Sequence, residues 1–367
     1  MNMTFFRISI AIATVCSFLT ACSSDGNLPA GGQTPPSEPE EELIDTSLCM
    51  PDPSKQAQKV YQYLRSQWGK KIFSGTMANV NWNFAEAELV HKATGKYPAI
   101  NFLDFISLYA SPASWIDYSQ TASIEGWWNK NGLVGAGWHW NVPKSETAPA
   151  NEVSFNAEET SFSAANATVE GTWENRVIKN DLEKVAGYLM LLQNKGIPVI
   201  WRPLHEASGN IYQYAGGKAW FWWGANGAEA YKKLWRYMFD FFRQKGLNNL
   251  IWVWTSQTKD VAFYPGDEYV DIIGRDCYNE LSASEIASQY NELKQMWPHK
   301  LITLSECGSV AKIKEQWKAG AKWSFFMPWY HYNATSLSGH QHADNTWWKD
   351  AMEQEYVLTR DDLPSLK

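Results

Sequence analysis

The chain has 367 residues, 45% hydrophobic content and a net charge of −7, with 32 Lys and Arg against 39 Asp and Glu. That length suits one α/β barrel, and an acidic balance without a basic stripe to neutralise phosphates excludes a nucleic-acid partner. The unusual quantity is aromatic: 21 Trp, 17 Tyr and 16 Phe are read as sugar-binding platforms in preference to a Trp-rich core, because the apolar face of a pyranose packs on an aromatic ring.

The N-terminus reads as an address. Arg7 gives a positive start, and Ile8 to Leu19 is an apolar run too short to span a bilayer. Leu19-Thr20-Ala21-Cys22 resembles a bacterial lipobox. The expectation is a signal peptide over 1–21, with Cys22 lipidated after cleavage; the alternative is an ordinary secretory signal cut nearby. Residues 22–48, with Gly31-Gly32, Pro35-Pro36 and Glu40-Glu41-Glu42, read as a flexible tether, leaving 49–367 as the folded domain. A lipid anchor at Cys22 implies an outer-membrane lipoprotein of a Gram-negative bacterium, facing periplasm or cell surface, and a monomer is expected. Beyond the tether lie Cys49, Cys277 and Cys307, an odd number that permits no full disulfide framework. A Cys277–Cys307 pair is conceivable, but buried free thiols are preferred. No Cys/His cluster has metal-ligand spacing, so neither a catalytic metal nor a cofactor is expected.

From residue 50 onward, short β-rich runs alternate with longer helical stretches, the pattern of a parallel sheet with crossover helices. The strands are predicted at Lys71–Gly75, Tyr97–Asp104, Leu133–Trp138, Pro198–Leu204, Leu250–Trp254, Ile272–Tyr278, Leu301–Ser305 and Trp323–Trp329. Helices are predicted at Ser54–Trp68, Trp173–Lys195, Ala228–Lys245 and Ser284–Met296, with Gly196 and Gly246 as terminators. Eight such units predict an α/β fold, a single (β/α)8 TIM barrel with extended loops at its C-terminal face. Asn141–Glu170, rich in Ser, Ala, Asn and Glu, is a long loop expected over the barrel mouth.

In such a barrel the active site lies at the C-terminal ends of the strands. Polar residues collect there: Asp104 after the second strand, His139 after the third, and His205 and Glu206 after the fourth. Asp276 and Tyr278 close the sixth strand, Glu306 the seventh and Trp329 the eighth. The segments Trp201-Arg202-Pro203-Leu204-His205-Glu206 and Leu301-Ile302-Thr303-Leu304-Ser305-Glu306 are apolar runs that each stop on a glutamate. A buried strand has no use for such a terminus, whereas two carboxyls facing one scissile bond are what glycoside hydrolysis requires. Desolvation among tryptophans is expected to raise the Glu206 pKa and suit it to the acid role. Glu306 is expected to stay ionised through hydrogen bonds from Arg202, Tyr278 or both. His139 and His205, beside a carboxylate, are expected to contact sugar hydroxyls or orient the acids rather than to be plain core histidines.

The chain resembles glycoside hydrolase family 26 from about residue 70 to 355. Four motifs carry the resemblance: Gly137-Trp138-His139-Trp140-Asn141-Val142-Pro143, Trp201-Arg202-Pro203-Leu204-His205-Glu206, Trp220-Phe221-Trp222-Trp223-Gly224 and Thr303-Leu304-Ser305-Glu306. It implies a retaining double displacement, with Glu206 as acid/base and Glu306 as nucleophile. It also implies Tyr278 hydrogen-bonded to the nucleophile, and Trp220, Trp329 and His139 lining the subsites beside the cut. Most of the family are β-1,4-mannanases, so mannan, galactomannan or glucomannan and their oligosaccharides are the expected partners; β-1,3-xylanase or mixed-linkage β-glucanase is the near alternative. A lipoprotein that binds glycans without cleaving them is the alternative from another class. One departure stands out. Ala207 to Ala219 separate Glu206 from the Trp-Phe-Trp-Trp motif, which in the family's usual pattern follows within a few residues. This insertion is either a passive bulge or a wall that turns endo-cleavage into mannobiose release, and Asn141–Glu170 and His331–His342 are further candidate walls.

Overall fold

A computed structural model describes residues 43–78 and 83–367. The signal peptide, Cys22 and most of the tether lie outside the described residues. Eight parallel strands close into a barrel: β1 (Ile72–Met77), β2 (Ile100–Asp104), β3 (Leu133–Trp138), β4 (Val199–Pro203), β5 (Leu250–Ser256), β6 (Ile272–Cys277), β7 (Leu301–Cys307) and β8 (Phe325–Pro328). Closure comes from β8 on β1, with Phe325 opposite Phe73. Nearly every strand residue is buried, as expected when helices cover one face and barrel side chains fill the other. All eight predicted strands are present.

The helices that wrap the barrel begin and end where local chemistry directs. In α1 (Lys55–Gln67) the Ser54 hydroxyl accepts from the Ala57 N–H, and Ala57, Val60, Tyr61 and Leu64 form the buried stripe. The following helices are α2 (Ala85–Thr94), α3 (Ala122–Asn129) and α4 (Trp173–Gln193), the last capped by Thr172. Then come α5 (Gly227–Gln244), α6 (Ala283–Met296) with a Ser282/Glu285 capping box, α7 (Ile313–Lys318) and α8 (Asn345–Met352). Two details depart from the predicted repeat. The β5–β6 connection holds only two 3-10 turns, Val261–Phe263 and Asp267–Tyr269. The Asn141–Glu170 loop is itself structured, with a small antiparallel pairing of Val142–Pro143 on Val153–Ser154.

The packed body also starts earlier than residue 49. Ile44 and Leu48 are buried, Asp45 N–H donates to the His299 carbonyl, and Lys300 pairs with Asp45 at 2.8 Å. The last part of the stretch expected to be tether is therefore docked. The aromatic content needs a larger correction. Trp138, Trp140, Trp201, Trp222, Trp223, Trp235, Trp252, Trp254, Trp323 and Trp348 are all fully buried. Most tryptophans build the core, and composition alone was a poor guide to sugar binding. Cys277 and Cys307 face each other in the β6–β7 register, and they and Cys49 are free thiols. Burial pushes the Cys277 thiol up to about 12. Among the described residues no helix is long and apolar enough to cross a membrane, and no group of three His, Cys, Asp or Glu is placed to hold a metal ion.

Candidate active site

Glu206 reaches the barrel mouth through a strained turn. Just past β4, Leu204 and Glu206 both have positive φ, 49° and 50°, which costs an L-residue of order 1 kcal/mol or more and persists only where neighbours enforce it. Here the Tyr231 hydroxyl donates to the Leu204 carbonyl at 3.0 Å and the Trp223 indole donates to the His205 carbonyl at 2.8 Å. Gly224 completes the clamp: a Cβ there would lie 1.6 Å from the Ala207 carbonyl oxygen. The Trp-Phe-Trp-Trp-Gly motif thus returns to brace the glutamate's turn despite the thirteen-residue separation in sequence.

Glu306 is positioned by an irregularity in β7. Arg275 pairs with Leu304, but Asp276 pairs with Glu306, so Ser305 is an extra residue opposite β6; the register against β8 slips over the same stretch. Such a bulge turns two successive side chains toward one side. The Ser305 hydroxyl reaches Asp276 at 2.7 Å, and the Glu306 carboxylate accepts from both Arg202 and Tyr278. Gly274 makes room, since a Cβ there would sit 2.3 Å from the Ser305 Oγ.

Arg202 ties the elements together. From β4 its buried guanidinium donates Nε–H to Thr255 Oγ1 at 2.9 Å, Nη1–H to Glu306 Oε2 at 3.0 Å, and Nη2–H to Asp276. Burial opposes its charge, but Asp276, Glu306 and Glu206 outweigh that and hold its pKa above the usual value. Tyr278 donates to Glu306 Oε1 at 2.5 Å. Burial, then the Glu306 charge, keeps the phenol protonated. Both donors named from the sequence contact this carboxylate.

The Glu206 and Asp276 carboxyls are close neighbours, and Asp276 is the one that accepts from Arg202 Nη2–H and from the Ser305 hydroxyl. Two carboxyls in that contact share one proton. Burial first, and then the charges of Asp276 and Glu306, push Glu206 well above the usual carboxyl range. Asp276 is itself raised to about 7, again by burial first, while Arg202 stabilises its anion. Asp276, which accepts from Arg202 and Ser305, is held as the anion, so the shared proton is assigned to Glu206. Replacing Asp276 by Asn removes a negative neighbour, and the Glu206 pKa must fall. The alkaline limb of the kcat/KM profile of Asp276→Asn is expected to move to lower pH than in the wild type; an unmoved limb, or movement to higher pH, contradicts this assignment of the proton.

The remaining predicted residues fall into two groups. His139, on the β3 loop, is held by Asp104, which accepts from its backbone N–H at 2.9 Å and contacts its Nδ1 at 2.6 Å. Its ring lies 5.4 Å from that of Trp329 and 4.4 Å from that of His205. Asp104 and His205 are both almost fully buried. Both contact His139, and neither lines the catalytic cleft. His205 is kept neutral by burial first, then by Arg202 and His139. Facing the solvent instead is a cleft of about 520 Å³ lined by Glu206, Trp220, Asp276 and Tyr278. Gln213, Gln257 and Asn279 also line it; the sequence reading missed these three. Thr255 and Ser305 were missed too, because their roles depend on cross-strand register.

A closed barrel that gathers two glutamates at its mouth, one from the end of β4 with a raised pKa and one from β7 accepting from Arg and Tyr, defines the class of glycoside hydrolases. The chain matches the profile of glycosyl hydrolase family 26 over residues 49–362, and it belongs to that family. It is 32% identical to mannan endo-1,4-beta-mannosidase B of Piromyces sp over 88% of this chain, but spans only 54% of that relative's length. The family 26 domain of a Prevotella bryantii endo-beta-mannanase/endo-beta-glucanase is 42% identical, with a TM-score of 0.81 over 87% of this chain and 99% of that one. A beta-mannanase from a symbiotic protist of the termite Reticulitermes speratus, complexed with gluco-manno-oligosaccharide, is 34% identical, with a TM-score of 0.74 over 88% and 98% of the two chains.

Proposed function

We propose that this protein is an endo-acting, retaining hydrolase of β-1,4-mannosidic linkages in mannan, galactomannan or glucomannan. The observation that carries the mechanism is the unequal pair of glutamates: Glu206 is buried beside the Asp276 carboxylate, which raises its pKa, while Glu306 accepts from Arg202 and Tyr278. Glu306 attacks the anomeric carbon as the Glu206 proton passes to the departing glycosidic oxygen. Water then donates a proton to Glu206 and displaces Glu306, which restores the starting configuration. His139 and Trp329 provide one wall beside the cut and Trp220 the other, with Asp104, His205 and Asp276 in supporting roles.

The choice of mannan rests on the named activities of the relatives, and the endo mode on the form of the cleft. Trp220 lines the catalytic cleft and also a second depression of about 540 Å³, and with the endo-acting names of the relatives this supports the endo mode. Reducing-sugar release across a polysaccharide panel tests the reading. Activity on mannans with a spread of product lengths is expected; activity confined to xylan or mixed-linkage glucan would sink it, and mannobiose as the sole early product would sink the endo mode. The chain acts as a monomer tethered to the outer membrane through lipidated Cys22, on the periplasmic or surface side. Cell fractionation of a Cys22→Ser form tests the anchor, because unchanged membrane association would contradict it.

A further inference from the structure

The depression beyond Trp220 is not part of the acid–base machinery, and it is built largely by the segment that departs from the family pattern. Its lining joins Asn210, Tyr214, Gly216 and Lys218 of the insertion to Asn156 and Glu158 of the long β3–β4 loop, with Trp220 between it and the catalytic cleft. We propose that this depression is a distal sugar-binding subsite, in which Tyr214 is the stacking platform for a hexose unit of the chain being cut. The inference rests on the reading of the site as a β-glycan hydrolase and adds to it a residue that sets preference for long substrates.

Three observations support a built site. First, exposure: Tyr214 is 59% exposed and Trp220 is 41% exposed, although large aromatic side chains gain by burial and most here are in the core. Two such rings at one depression offer apolar faces in series to successive sugars.

Second, the platform is held in place. Asn210 clamps the insertion from both sides of its amide, accepting the Lys218 N–H at 2.6 Å through Oδ1 and donating through Nδ2 to the Tyr214 hydroxyl. The Gly217 N–H donates to the Tyr214 carbonyl at 3.1 Å. Across the depression, Lys218 pairs with Glu158 at 2.7 Å, and the Ala157 N–H donates to the Trp220 carbonyl at 2.8 Å. A passive bulge has no need to be cross-linked to a second loop, whereas a ring fixed before binding loses less entropy when sugar arrives.

Third, the chemistry around the rings suits a neutral polyol. Asn156, Glu158, Glu159 and Lys218 supply donors and acceptors; Lys218 pairs with Glu158, and Glu159 accepts from Ser154 and Asn156. Hydroxyl groups can bridge such a pair without a charged ligand being required.

The test compares long and short substrates, using mannohexaose and mannotriose with the full-length protein. Removing one aromatic platform is expected to lower kcat/KM about 5- to 15-fold for mannohexaose, chiefly through KM, and to leave mannotriose within about twofold. Thus Tyr214→Ala shows the chain-length-dependent loss, and Tyr214→Phe, which keeps the ring but loses its tie to Asn210, falls between Tyr214→Ala and the wild type. Equal losses on both substrates would mean that the change disturbs the catalytic cleft as a whole, and no loss on either would mean that the depression is unused; each result overturns the subsite. If the wild type cleaves no mannan but another β-linked glycan, the mannanase reading fails by itself. The same comparison with that glycan's hexaose and triose then decides the subsite by the same criteria.

Discussion

Glu306→Ala is expected to lower kcat on mannan by about 10^5-fold, the scale of removing a covalent nucleophile whose partners remain in place. The loss should appear in kcat with little change in binding of substrate. Arg202 keeps its contacts with Asp276 and Thr255 in the variant, and β7 stays paired on both edges, so the fold should persist. Steady-state rates on mannan, with circular dichroism as a check on folding, measure this. A variant that is folded and loses less than about tenfold would show that Glu306 does not form the bond to sugar.

Glu206→Ala gives a second large effect whose size depends on the leaving group. General acid–base catalysis is worth about 10^2- to 10^4-fold, and a mannan leaving group, a poor one, needs all of it. With a dinitrophenyl β-mannobioside, departure requires no proton, so the first step should stay within about tenfold of wild type. The second step, which needs Glu206 to take a proton from water, becomes limiting. Azide, which needs no base, should then accelerate turnover and give the β-configured glycosyl azide. The pH profile adds a sign. Burial, with Asp276 and Glu306 nearby, raises the Glu206 pKa, so wild-type activity falls as pH rises through that value and the acid form is lost. The first step of Glu206→Ala on the activated substrate lacks this alkaline limb. Equal losses on both substrates, or no response to azide, would remove Glu206 from the acid/base role.

The legible parts of the sequence were those in which one residue type can serve only one physical purpose. Parallel strands buried on both faces read as largely apolar runs, broken here by single polar residues such as Ser74, Asn101, Arg202 and Arg275, and all eight were legible. A glutamate at the end of such a run is unexplained by packing, which singled out Glu206 and Glu306 before any geometry was known. The Arg202 fork was half visible, because an arginine inside an apolar run four residues before a glutamate needs an acidic partner. Features that depend on register were hidden. Nothing in Leu301–Cys307 announces that Ser305 is an extra residue, yet that bulge turns Glu306 and Ser305 toward Arg202 and Asp276. Asp276 was picked as a supporting residue, but its proximity to Glu206 joins strands seventy residues apart and has no local signature. The tryptophans misled for a related reason: composition counts rings and says nothing about which face of an element they occupy. Ile44 and Leu48 lay within a polar, proline-rich stretch, and only their burial against the barrel shows that the folded body begins before residue 49.

The account stands on Glu206 and Glu306 acting on one anomeric carbon, and a trapped intermediate tests that most directly. Glu206→Ala reacted briefly with dinitrophenyl β-mannobioside, then quenched in acid and digested, should carry a mannobiosyl ester in the peptide containing Glu306. An ester on Asp276 or any other carboxyl, or a product of inverted configuration with no ester formed, would contradict the account.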